Sequence, residues 1–199
     1  MTSALGVACV TAVLKSLLEN AFVEEGLAAR LGDAQVSALP PDRVPIGPDE
    51  RSQLNLFLYR LTPNTRWRDR SGGSAANGAA SKSELLLDLH YLLTAYGEQD
   101  LVPEILLGHA IRVFQSSATL DVETVRGALG SGTLNGSAAL LSPGRAVLAT
   151  ADVSDVIGEI AIAPEFLGTE ELSRIWSALQ ARYRPSATYK VSATLIHTA

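Results

Sequence analysis

Arg60, Arg66, Arg68 and Arg70 gather around Trp67 in the stretch LNLFLYRLTPNTRWRDR, residues 54–70. Guanidinium groups pair with phosphate or carboxylate oxygens, and an indole face stacks on bases or other rings. Three readings of this stretch are open: an anion or nucleic-acid site, a contact with another protein, or a solvated turn. Arg and Trp are enriched at protein–protein hot spots, which supports the second. Asp69 partly neutralises the patch, and the chain carries a net charge of −5, so no global basic field draws nucleic acid towards it.

Other chemistry finds less support. The 3 histidines, His90, His109 and His197, lie far apart, with no second His or Cys at ligand spacing, so no metal site is expected. His90, beside Tyr91, reads as a sheet residue with a hydrogen-bond partner, and His109 as a partly exposed helix residue. Gly73 and Gly78 have the spacing of a phosphate loop, but Ala79 and Ala80 stand where Lys and Ser/Thr are needed. GSGTLNG supplies Gly130 and Gly132, but Asn135 stands in place of a third glycine. Both stretches read as flexible loops, and no cofactor is expected. No serine occupies a G-x-S-x-G elbow. Cys9 lies in an apolar helical stretch and reads as a small core residue. Glu24-Glu25 and Glu170-Glu171 read as solvated helix ends. No residue set argues for an enzyme.

Composition is that of a globular chain, 47% hydrophobic and 19% charged. A lone cysteine excludes an internal disulfide framework and suits a reducing cytoplasm. The apolar N-terminus lacks the preceding Lys or Arg of a secretory leader and reads as too short to span a bilayer. We therefore expect a helix over about 3–30, capped by Thr2 or Ser3 and bent or broken at Gly26. Val7, Val10, Leu14, Leu17 and Leu18 form its buried stripe.

The elements that would position the arginines follow. Val36 and Leu39 suggest a short strand. Pro40, Pro41, Pro45 and Pro48 then exclude helix and central strand, leaving an extended connection. QLNLFLYRL is a strand covered on both faces, with Leu54, Leu56 and Leu58 on one and Phe57, Tyr59 and Leu61 on the other. The segment of about 71–84 has linker composition and joins this strand to a second, 85–96, as an elaborated hairpin. A helix follows from about 99, with Ile105, Leu106, Ala110, Val113 and Phe114 facing a core and Pro103 in its first turn. A short helix or turn begins near 120, and residues 130–151 show no clear period. GEIAIAPEF is a short strand. Residues 169–184 form a helix capped by Thr169 with the stripe Leu172, Ile175, Trp176, Leu179 and Tyr183 and with Arg182 and Arg184 at its end. The last strand buries Ala187, Tyr189, Val191, Ala193 and Leu195. The expected fold is a single α+β domain over 1–199. Its sheet is mostly antiparallel or mixed, packed by the N-terminal helix and the 169–184 helix.

LPPDR (39–43), LNLFLYRLTPNTRWRD (54–69), LLLDLHYLLTAYGE (85–98), LLGHAIRVFQ (106–115) and LSRIWSALQARYRPSATYKVS (172–192) occur in this order. Together they resemble the tail terminator, or cap, proteins of phage-tail-like contractile injection systems, of which the Photorhabdus virulence cassette and the antifeeding prophage are examples. The resemblance covers nearly the whole chain. It implies a tail-terminator-like domain that closes into a hexameric ring, ends the inner tube and sheath and stops their polymerisation. The particle it implies is bacterial, assembled in the cytoplasm and then released or associated with a membrane. Implied partners are further copies of the chain and the tube and sheath proteins, without nucleic acid and without direct membrane insertion. Some relatives carry a further C-terminal region. On this reading the contact residues are Arg60, Asn64, Arg66, Trp67, Arg68, Asp69 and Arg70, and the 71–84 segment orders on assembly. The competing reading is a small ligand- or nucleic-acid-binding regulator that uses the same arginines.

Overall fold

A computed structural model describes residues 5–31, 34–64, 83–130, 147–148 and 157–197. Helix α1 spans Gly6–Glu24 and buries Cys9, Val10, Val13, Leu14, Leu18 and Phe22 on one face. Val7 and Leu17 are partly buried against the same core. The described α-helix begins at Gly6 with Leu5 in the cap position; the expected caps Thr2 and Ser3 lie outside the described residues. Gly26, in the left-handed region at φ 63°, separates α1 from a short α2, Leu27–Arg30. By length and composition α1 is apolar enough to cross a membrane, contrary to the sequence expectation. In the fold that apolarity is used against the sheet.

Strand β1 is Gln35–Ser37, shorter than expected. The proline-rich connection is extended apart from single turns of 3-10 helix at Pro41–Arg43 and Gly47–Asp49. Pro41 and Pro48 are accommodated because the first turn of a helix needs no N–H from them. β2 (Gln53–Pro63) and β3 (Ser83–Tyr96) form the expected antiparallel hairpin. Ser83 and Glu84 belong to β3; the rest of the 71–84 segment lies outside the described residues, as does nearly all of 130–151. Helix α3 is Val102–Ser116, β4 Thr119–Leu120, α4 Val122–Gly130, β5 Ile157–Glu165, α5 Thr169–Ala178 and β6 Ser186–His197.

The sheet order is β1-β2-β3-β6-β5-β4. β1 runs parallel to β2 and every other pair is antiparallel, so the sheet is mixed. β3 and β6 sit at its centre, and their alternation is as expected. Leu87, Leu89, Tyr91 and Leu93 of β3 and Tyr189, Val191, Ala193 and Leu195 of β6 enter one core cluster with α1 and α3. Leu92 and Tyr96 are buried on the opposite face, outside that cluster.

Several details depart from the sequence expectation. β2 is covered on both faces only over Gln53–Leu56; Leu61 is exposed. A bulge between Leu58 and Arg60 also shifts its alternation. Ile105 is 46% exposed, because it sits to one side of the stripe formed by Leu106, Ala110, Val113 and Phe114. α5 stops at Ala178 rather than near 184, with Gln180 at positive φ ending the turn. Its cap is Gly168, whose N–H donates to Glu171 Oε2 at 3.0 Å, and Thr169 is already helical. Of the expected stripe only Trp176 is buried, while Tyr183 is 58% exposed. α5 thus contributes one buried ring, and α3 joins α1 in covering the core face.

Candidate functional site

The described part of the arginine-rich stretch ends at Asn64. Arg66, Trp67, Arg68, Asp69 and Arg70 lie outside the described residues. Arg60 and Asn64 lie within them, and the fold places both on the sheet face opposite α1. Register explains this: Arg60 pairs with His90 and Thr62 with Asp88, and those β3 residues alternate with the core-facing Leu87, Leu89 and Tyr91.

Glu165, at the end of β5, organises this face. Its Oε2 accepts the Tyr59 hydroxyl at 2.9 Å, and its Oε1 pairs with Arg60 Nη2 at 3.2 Å. His90 Nδ1 lies 2.9 Å from Oε2. On the other side of the ring, His90 Nε2 is 3.0 Å from Thr62 Oγ1. In the Nδ1–H tautomer the ring donates to the carboxylate while Nε2 accepts from the threonine hydroxyl, and Arg60 Nη2, 3.1 Å from Nδ1, then has the carboxylate as its acceptor. The Thr188 hydroxyl donates to the Glu165 carbonyl and fixes the backbone there. One strand position along, Asp88 Oδ1 accepts from Asn64 Nδ2 at 2.7 Å and from the Ser192 hydroxyl at 2.6 Å. The Asn64 N–H donates to the Leu86 carbonyl at 3.1 Å.

The electrostatics follow from this packing. Burial pushes the Glu165 carboxyl up, but hydrogen bonds from His90 and Tyr59 and the charge of Arg60 outweigh it and hold the group below the usual carboxylate range. Burial, then the bond to Glu165, pushes the Tyr59 phenol well above its ordinary range. Arg60 is 50% exposed and also lies over the Tyr59 ring, 5.9 Å from its centroid. It is therefore held by Glu165 and Tyr59 while half of its side chain stays exposed.

Thr62, His90 and Glu165 form a hydroxyl–imidazole–carboxylate chain, the order of groups used in nucleophilic hydrolysis. Here each polar atom is already paired across the sheet, and the carboxylate is shared with Tyr59 and Arg60. The arrangement locks strands together. An open cavity of about 1330 Å³ lies between α1, β1 and the proline-rich connection, lined by Val7, Thr11, Lys15, Val36 and Leu58. Neither Arg60 nor Asn64 lines it.

The sequence reading of His90 as a bonded sheet residue holds. Cys9 is a fully buried core residue, its thiol pushed up to about 11 by burial. His109 is a correction: it is buried, packed on Phe22 at 5.4 Å, with Nδ1 3.0 Å from Glu25 Oε2. Glu25, read as a solvated helix end, also pairs with Arg112 and so ties the end of α1 to α3. Arg184 does not close a helix but pairs with Glu50 at 2.8 Å and covers the Tyr96 ring. Glu165 and Tyr59 were not singled out by sequence. Glu165 is a carboxylate after a proline at a strand end, and only the fold shows that it meets β2.

Residues 9–199 match the model of the Pvc16 N-terminal domain family. The chain belongs to that family. Two solved structures are similar to it. One is the sheath/tube terminator of the PVC extracellular contractile injection system in its extended state, with 13% identity and a TM-score of 0.47, over 89% of this chain and 56% of that one. The other is the tube-terminating cap of the anti-feeding prophage, with 12% identity and a TM-score of 0.47, over 90% of this chain and 54% of that one. The chain spans about half the length of these structures. No curated protein sequence matches it.

Proposed function

We propose that this Pvc16-type domain is a structural cap. Copies of it close into a hexameric ring that ends the inner tube and contractile sheath of an injection particle and stops their polymerisation. Membership of the Pvc16 N-terminal domain family across residues 9–199 carries the reading, together with the ordered sequence blocks that resemble cap proteins. A ring of identical subunits needs heterologous contacts that close on rotation, and the 62–70 turn with Arg60 and Asn64 is the contact we assign. Within the described residues, β1 pairs only with Gln53–Asn55, so the remaining outer edge of β2 has no strand beside it. Such an edge can accept a strand from a tube or sheath subunit. The capped particle is assembled in the cytoplasm and then released or associated with a membrane.

The regulator reading loses ground on the net charge of −5. Replacing Arg66, Trp67 and Arg68 together by alanine tests the cap reading. The variant is expected to fold as the parent does and to give tubes and sheaths of uncontrolled length in electron micrographs. Normal, uniform lengths would overturn the contact assignment. Micrographs of the purified domain are expected to show sixfold rings, and salt-dependent binding to DNA would favour the regulator instead.

A further inference from the structure

We propose that Glu165 is a positioning residue, clamping the β2–β3 hairpin so that Arg60 and the strand end at Asn64 are held in place for an assembly partner. The proposal rests on the reading of the 62–70 turn as an assembly contact.

In a regular strand Tyr59 and Arg60 would point to opposite faces. The bulge between Leu58 and Arg60 breaks that alternation, and both side chains reach the same carboxylate. Bulges bend a strand and re-aim its side chains. This one turns consecutive residues of β2 towards β5, although β3 and β6 lie between those strands. His90 of β3 supplies the third tie, from a nearly buried position. Both strands of the hairpin are therefore held by one group on a distant strand.

The clamp sits where the hairpin needs it. Among the described residues β1 flanks β2 only at Gln53–Asn55, so beyond the bulge β2 is paired there with β3 alone. A strand supported on one side is free to bend, and Glu165 supplies the missing restraint immediately before the chain leaves at Asn64. The Glu165 side chain is only 18% exposed, and its backbone is fixed by Thr188. A partner that pulls on the turn thus works against a fixed point in the sheet. The geometry also ranks replacements. Glutamine can still accept from Tyr59 but loses the charge that holds Arg60, whereas alanine loses every tie.

The test uses the full chain with Glu165→Ala, Glu165→Gln and Tyr59→Phe, the last in case the alanine variant does not fold. Amide hydrogen exchange over 58–64 and 85–90 is measured in each, and tube and sheath lengths are measured in particles assembled with each. The expected result is exchange about tenfold faster over 58–64 in Glu165→Ala, against unchanged core amides in α1. Glu165→Gln should lie between parent and alanine, Tyr59→Phe should shift in the same direction, and length control should weaken in the same order. Unchanged exchange in both Glu165→Ala and Tyr59→Phe overturns the clamp. Faster exchange with uniform lengths overturns the positioning role, provided the Arg66/Trp67/Arg68 alanine variant loses length control. Uniform lengths in that triple variant show that the contact reading has failed, and the positioning role falls with it.

Discussion

The Glu165 carboxylate on β5 accepts the Tyr59 hydroxyl of β2 at 2.9 Å, across two intervening strands. Tyr59→Phe removes this bond and nothing else of comparable size, so it is expected to cost about 1 kcal/mol in urea unfolding. Glu165→Ala leaves Tyr59 and His90 without their acceptor and is expected to cost about 2–3 kcal/mol. The two effects should be clearly non-additive in a double-mutant cycle, because both variants delete the same bond. Acid should weaken the clamp as well. The Glu165 carboxyl is held below its ordinary value. Its contribution is therefore complete above an unfolded pKa of about 4.3 and is lost as pH falls through the folded value. In Glu165→Gln this part of the acid loss should disappear.

Asn55 performs a comparable task at the other end of β2. It is fully buried. Its Oδ1 accepts from the Ser37 hydroxyl at 2.8 Å and from the Leu39 N–H at 2.9 Å, while Nδ2 donates to the Leu39 carbonyl at 2.8 Å. These bonds replace the ladder that β1 gives up when it ends at Ser37. Asn55→Leu leaves two backbone groups of Leu39 without partners, so a loss of about 2–4 kcal/mol is expected. Denaturant midpoints for this variant and for Ser37→Ala, which removes one of the bonds, should rank in that order.

How much of this was legible in the sequence depends on the range of the interaction. The alternation of Leu87, Leu89, Tyr91 and Leu93, and of Tyr189 to Leu195, marks core-facing strand positions because a period of two has one buried face. The period of α1 placed Val10, Leu14 and Leu18 correctly for the same reason. Local pattern says which face is buried but not what meets it. His109 looked like a helix-surface residue because Phe22 and Glu25, which enclose and pair it, come from a helix some eighty residues earlier. The bulge at Tyr59 leaves no sequence mark, since any residue fits there, and without it Glu165 cannot be connected to β2. The proposed contact was legible only as composition, in the density of Arg and Trp.

Gly26 ends α1 in the left-handed region at φ 63°, with open space where a Cβ would stand. Strain rather than crowding is therefore the cost of a side chain there. Gly26→Ala is expected to lower stability by about 1 kcal/mol, and Gly26→Asn by less, because asparagine tolerates this conformation. Thermal unfolding of the two variants would check the order; equal losses would point to crowding instead.

His109 gives the chain a pH dependence of opposite chemical origin to that of Glu165. Its ring is buried, its Nε2 has no hydrogen-bond partner among the described residues, and burial lowers its pKa. Glu25 and Arg112 both approach Nδ1, with Arg112 Nη2 at 3.3 Å, so the pull of the carboxylate is offset by a neighbouring cation. The folded state therefore binds the proton less readily than the unfolded chain, whose histidine titrates near about 6.5. Where the unfolded state holds more protons, stability rises with pH. The parent should lose stability as pH falls from about 7.5 to about 5.5, before Glu165 begins to titrate. His109→Phe keeps a ring against Phe22 and removes both the titration and the unpaired nitrogen. Its stability should be nearly flat over this interval, with a loss at pH 7.5 of no more than about 1 kcal/mol from the broken Glu25 contact. Urea midpoints at several pH values decide the matter: parallel slopes for parent and His109→Phe would show that another group carries the dependence.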